Sequence, residues 1–119
     1  MEQEQFNEQF RQRTKKFAVD VIKYCNALPA TPATRVIVFQ LVKSATSVAA
    51  NYRAACRARS KAEFHAKMSI VVEECDESQV WLEILEESGI DVSTESVRLQ
   101  QEALEIVKVC AKARNTSSK

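Results

Sequence analysis

Apolar residues in this chain recur with a period near 3.6, and no segment alternates for long enough to pair into a sheet. From Gln5 to Leu28 one stripe runs through Phe6, Phe10, Phe17, Val21, Tyr24 or Cys25, and Leu28. It crosses Arg13 and Thr14, where the first turns are expected either to fray or to meet a neighbour. Pro29 and Pro32 then interrupt the pattern, since each disfavours helical geometry in the residue before it. Thr31 followed by Pro32 restarts it, with threonine as N-cap and proline at the first helical position.

A second helix is expected from Pro32 to about Cys56, with Leu41, Ala45, Val48 and Tyr52 as its main stripe. Ser60 and Glu63 form a capping box, SKAE, so a third helix starts near Lys61. Its inward side reads Phe64, Met68, Val71, Cys75, Ser78, Leu82 and Leu85, with Trp81 at the edge. Gly89 is the natural left-handed terminator of that helix. The DVSTES segment caps a fourth, marked by Val97, Leu104, Val107 with Ile106, and Ala111, and residues 115–119 read as a disordered tail. Four helices with short connections imply one all-α domain over residues 1–114, an antiparallel up-down-up-down four-helix bundle.

The second helix has more apolar surface than such a bundle requires. Phe39, Val42, Thr46, Ala49 and Ala50 form a second stripe, and their mostly small side chains permit close approach by another helix. An unpartnered apolar face usually marks an interface, so these residues are assigned to a subunit contact in a homo-oligomer.

Charge sharpens this reading. Arg53, Arg57, Arg59, Lys61 and Lys67 surround the turn before the third helix, with Glu63 as the only acid between Arg53 and Lys67. From Met68 to Val97 there is no lysine or arginine, while Glu73, Glu74 and Glu77 begin a long acidic run. Two uses of the basic cluster follow: a surface for phosphates or a protein partner, or internal ion pairing with Glu73, Glu74 and Glu77. The net charge of +1 excludes a general polyanion-binding character, so any nucleic-acid surface must be local. No apolar run approaches the ~20 residues that span a bilayer, and the polar first residues lack a signal-peptide core. A cytoplasmic protein with no membrane association is expected.

Chemistry is sparse. Cys25, Cys56, Cys75 and Cys110 include no CxxC pair and fall toward different ends of antiparallel helices, which suits buried thiols better than zinc. With His65 the one histidine, a di-iron site with two Glu-x-x-His motifs cannot form within a subunit. No cofactor and no small-molecule substrate are expected. Arg59 and His65 have the spacing of the Arg-x4-6-His motif of HEPN-type ribonucleases, where they would serve as phosphate clamp and base. Arg59 precedes the N-cap, so the two need not share a face, and a non-enzymatic reading is preferred.

The central stretch resembles a small four-helix-bundle family named for proteins encoded in intervening sequences of bacterial 23S ribosomal RNA genes. The resemblance rests on Gln40, Lys43, Ala45, Ser47, Ala50 and Asn51, then Arg59, Ser60, Glu63 and Phe64, then EFHAKMSIVVEECDESQVWLE with Glu73, Glu74, Asp76, Glu77, Ser78 and Trp81 to Glu83 in order. It implies an antiparallel bundle that assembles into a ring, a homopentamer. The chain is also similar to the accessory protein of diversity-generating retroelements, a strongly basic relative that binds nucleic acid and a reverse transcriptase, and departs from it in being nearly neutral. The resemblance thus points to an accessory protein for RNA, including ribosomal RNA, or for a protein partner.

Overall fold

Each helix begins where its first free N–H groups find an acceptor or a favourable charge. The structure, a computed structural model, describes residues 1–117. Its helices are α1 (Glu2–Asn26), α2 (Pro32–Cys56), α3 (Lys61–Glu87) and α4 (Thr94–Ser117). The first turn of α1 carries Glu2 and Glu4 against the positive end of the helix dipole. Thr31 Oγ1 accepts from the Thr34 N–H at 3.2 Å, Ser60 Oγ from Glu63 at 3.0 Å, and Ser93 Oγ from Ser96 at 3.3 Å. These three hydroxyls fix the starts of α2, α3 and α4.

At the far end of α3, Gly89 adopts φ 78°, and its N–H reaches the Glu86 carbonyl at 3.0 Å. The Asp91 N–H takes the Leu85 carbonyl at 3.1 Å, so the last turn is closed by the chain leaving it.

Successive helices pack side by side, α4 closes on α1, and among the described residues neither diagonal pair comes into backbone contact. The result is the antiparallel up-down-up-down four-helix bundle, 44 × 23 × 18 Å, with no strand among the described residues. Its core takes Phe17 and Val21 from α1, Leu41 and Val48 from α2, Met68, Val71, Leu82 and Leu85 from α3, and Leu99 and Ile106 from α4. Each such side chain contributes about 1.5–3 kcal/mol by leaving water.

The inward stripes of α2 and α3 are as the sequence implies, except that Phe64 is half-buried at the rim. Across the seam between these helices Ser44 and Ser78 meet hydroxyl to hydroxyl at 2.8 Å, both buried. This contact sets the register: stepping away from it along antiparallel helices, every α2 residue has a known α3 residue at its own height.

Of the two alternatives for the first turns of α1, the structure shows contact with a neighbour. The helix is continuous through Arg13 and Thr14, Arg13 pairs with Glu102 of α4, and the fully buried Thr14 returns its hydroxyl to the Arg11 carbonyl at 3.1 Å. Beside it the Arg13 guanidinium lies 5.6 Å from the Phe10 ring centre, and that ring packs on Tyr52 at 4.9 Å.

The reading of α4 and of the tail needs correction. Helix α4 turns a different side inward: Ser96, Leu99, Ala103, Ile106 and Cys110 are buried, while Val97 is 56% exposed. Of the residues expected inside, only Ile106 is fully buried, and Leu104, Val107 and Ala111 lie at the margins. The true stripe is displaced by one residue, about 100°. Helix α4 also runs past Arg114 to Ser117, so residues 115–117 of the expected tail are helical. Residues 118 and 119 lie outside those described.

Candidate functional site

The polar residues of α1 become legible only when its first half is laid against the last turns of α2. Arg11 and Lys15, spaced i, i+4, then face Arg53 and Arg57, also spaced i, i+4, across a groove floored by Ala49 and Ala50. The groove encloses about 540 Å³, with Glu8 and Gln12 on its α1 wall. Glu8 is already engaged: Arg11 donates to one carboxylate oxygen through both Nε and Nη2, and Gln12 donates to the other at 3.0 Å. These bonds hold its carboxyl below the ordinary value, that to Arg11 first. Among the described residues, Lys15, Arg53 and Arg57 form no ion pair. Four cations therefore converge on a small-residue floor, with the nearby acid spent on one of them.

The basic cluster read from the sequence divides in the structure. Arg53 and Arg57 line the groove, whereas Arg59 and Lys61 are exposed on the connection and first residue of α3, and Lys67 is half-buried on α3. Arg11 and Lys15 were not singled out by sequence reasoning. Their i, i+4 spacing on the polar side of α1 was the available signal, but it acquires meaning only beside α2.

Internal pairing of this cluster with Glu73, Glu74 and Glu77 does not occur among the described residues. Ion pairs form instead within or between α1 and α4, among them Arg13–Glu102 at 2.8 Å, Arg98–Asp20 at 3.0 Å, Lys16–Asp20 and Arg98–Glu95 at 2.7 Å, and Arg11–Glu8. Register explains this. With Ser44 level with Ser78, Arg53 comes level with Ser69 and Arg57 with His65, so the arginines stand beside the basic start of α3. Glu73 is exposed and Glu74 and Glu77 are half-buried. The Glu74 carboxyl is pushed above its ordinary value, chiefly by burial and then by Glu77, against a smaller opposing pull from Lys43.

Of the second stripe on α2, Phe39 is 65% exposed, Ala50 is exposed, and Val42, Thr46 and Ala49 are half-buried. Thr46 folds its hydroxyl back onto the Val42 and Lys43 carbonyls at 2.7 and 3.1 Å, leaving little polarity to present outward. None of the five belongs to the buried core of a single chain, and the structure divides them: Ala49 and Ala50 floor the basic groove, leaving Phe39, Val42 and Thr46 for a subunit contact.

Arg59 is exposed before Ser60 and His65 is half-buried on α3; among the described residues no ion pair joins either to another side chain. Cys25, Cys75 and Cys110 are buried free thiols, and desolvation pushes Cys25 up to about 11 and Cys110 up to about 12. Among the described residues no three His, Cys, Asp or Glu side chains gather where a metal could be held. No helix is long and apolar enough to cross a membrane, again among the described residues.

The family model for 23S rRNA-intervening sequence protein matches residues 7–112, from the α1 side of the groove through nearly all of α4. The chain belongs to that family. The chain is also similar to a solved structure, described as a protein with unknown function from the S23 ribosomal protein family of Bacteroides thetaiotaomicron, at 26% identity and a TM-score of 0.78. The match covers 87% of this chain and 96% of that one, so the two share the bundle fold over most of their length. No curated protein matches.

Proposed function

We propose that this protein is a non-enzymatic cytoplasmic accessory factor that assembles into a ring, a homopentamer by resemblance to its family, and grips the phosphate backbone of RNA in the α1–α2 groove. The observation that carries the reading is the convergence of Arg11, Lys15, Arg53 and Arg57 on one groove with Glu8 already bonded. Guanidinium groups suit phosphate because their planar donors engage two oxygens together. A neutral chain binds in this way only through a local cluster, and repetition around a ring raises the avidity for a long strand. Arg59 and Lys61, exposed at the same end, extend the surface.

The test is fluorescence anisotropy with an unstructured RNA oligonucleotide over a salt series. Binding should weaken steeply with salt, and Arg53→Gln with Arg57→Gln should make the log–log slope shallower by about 1.4, for two single-strand phosphate contacts. Equal affinity for DNA of the same sequence would mean that the backbone alone is read. Absence of binding at low salt, or an unchanged slope in the double variant, overturns the RNA reading and turns attention to a protein partner. A stable monomer at micromolar concentration in sedimentation overturns the ring.

A further inference from the structure

The two hairpins of the bundle are oppositely charged. Residues 1–60 hold ten Lys and Arg against four Asp and Glu, net +6, and residues 61–119 hold seven against twelve, net −5, which together give the +1 of the chain. The two hairpins share one core along the α2–α3 seam, while their outward faces, α1 with α2 and α3 with α4, carry the opposite charges on different sides of the bundle.

Each side also leaves an apolar patch in water. On α2, Val36 and Phe39 are 64% and 65% exposed, beside a groove of about 640 Å³ lined by Leu28, Val38 and Val42 and edged by Arg35 and Lys43. On α3, Val80 and Ile84 are 42% and 38% exposed, on a stripe that begins at Asp76 and ends at Glu87. Helix α2 has no acid, and α3 has no base beyond Lys67. The patches are therefore alike in polarity and opposite in the charge that frames them.

Their heights match. Counting from the Ser44–Ser78 contact, Val80 is level with Val42, Ile84 with Val38, and Glu87 with Arg35. A second copy standing parallel and unshifted beside the first would set apolar against apolar and Glu87 against Arg35. We propose that the α2 patch of one chain docks the α3 patch of a second copy in this head-to-tail, same-direction register. The proposal rests on the assembly put forward above and specifies its contact. Because the two patches differ, each copy retains one free after docking, and repetition closes a ring rather than a two-fold dimer. The groove arginines stay clear, since Arg53 lies about 21 Å along α2 from Phe39 at 1.5 Å per residue.

The test uses two single variants of the full chain, Phe39→Asp and Ile84→Asp, both at exposed positions and checked for unchanged helicity by circular dichroism. Each alone should sediment as a monomer. Mixed in equal amounts they should form a dimer and nothing larger, because each supplies the patch that the other lacks. The charge reversal Arg35→Glu should weaken assembly, and adding Glu87→Arg should restore it. Variants that assemble like an oligomeric wild type, or a mixture that stays monomeric, overturn this contact while leaving the assembly itself standing. A monomeric wild type overturns both.

Discussion

Arg13 holds Glu102 through two parallel hydrogen bonds, Nε and Nη2 to separate carboxylate oxygens, both 2.8 Å. The pair ties the first helix to the last, where the bundle closes without a covalent connection and with its sparsest packing. Both groups are partly exposed, so the attraction is shared with solvent and salt. A double-mutant cycle of Arg13→Gln and Glu102→Gln should give a coupling of about 0.5–1 kcal/mol in low salt, read from urea unfolding, and substantially less in 1 M salt.

Ser44 and Ser78 bring two hydroxyl protons to three bonds, since Ser44 also points at the Leu41 carbonyl at 3.1 Å and Ser78 at the Glu74 carbonyl at 2.9 Å. Removing either hydroxyl leaves the other a helical carbonyl to use. Ser44→Ala should therefore cost only about 0.5–1.5 kcal/mol. Ser44→Leu, which forces extra methylenes into a closed seam, should cost about 1–3 kcal/mol or more by thermal denaturation.

At Gly89 the backbone has φ 78°, and an added Cβ would meet nothing within 4 Å. A side chain there is opposed by the backbone alone. Gly89→Ala should lower stability by about 1–2 kcal/mol, with Gly89→Asn milder because asparagine tolerates the left-handed region. Equal losses for the two would point to a different cause.

Glu74 gives a pH dependence of definite sign. Its carboxyl is raised in the folded chain, so the fold holds its proton more tightly than the unfolded chain does, and stability falls as pH rises through that raised value. Glu74→Gln should be more stable than wild type near neutrality, with the difference shrinking toward pH 4. Asp20 opposes it. Its carboxyl is lowered by Lys16 first and also by Arg98, so its contribution is present above the unfolded value and is lost as pH falls. Asp20→Asn should flatten the acid limb of the stability curve.

The sequence made the bundle legible where local chemistry and periodicity agree. Ser60 with Glu63, Thr31 with Pro32, and Gly89 each act within one turn, so their roles needed no tertiary context. The α3 stripe is rich in large apolar residues and admits one reading. Helix α4 is different: Ser96 and Ala103 face inward while Val97 faces out, so hydropathy alone selects the wrong side by one residue. The small polar Ser96 is acceptable there because it stands at the helix start, with its N–H held by Ser93. The groove was half legible. Arg53 and Arg57 stood out in a basic run, but Arg11 and Lys15 lie some forty residues earlier in a segment mixed with acids, and only the α1–α2 packing brings them across from the arginines.

The division of charge between the hairpins has a further consequence for the chain as a piece of covalent matter. The connection between α2 and α3 is exposed around Arg59 and Ser60, and it is the one place where the +6 and −5 halves are joined. Expressed as separate polypeptides, residues 1–60 and 61–119 should seek each other out, faster in dilute buffer than in salt, and rebuild the bundle as a two-chain complex. The backbone bond at that turn would then be a convenience of synthesis, with opposite charge and a shared core able to replace it.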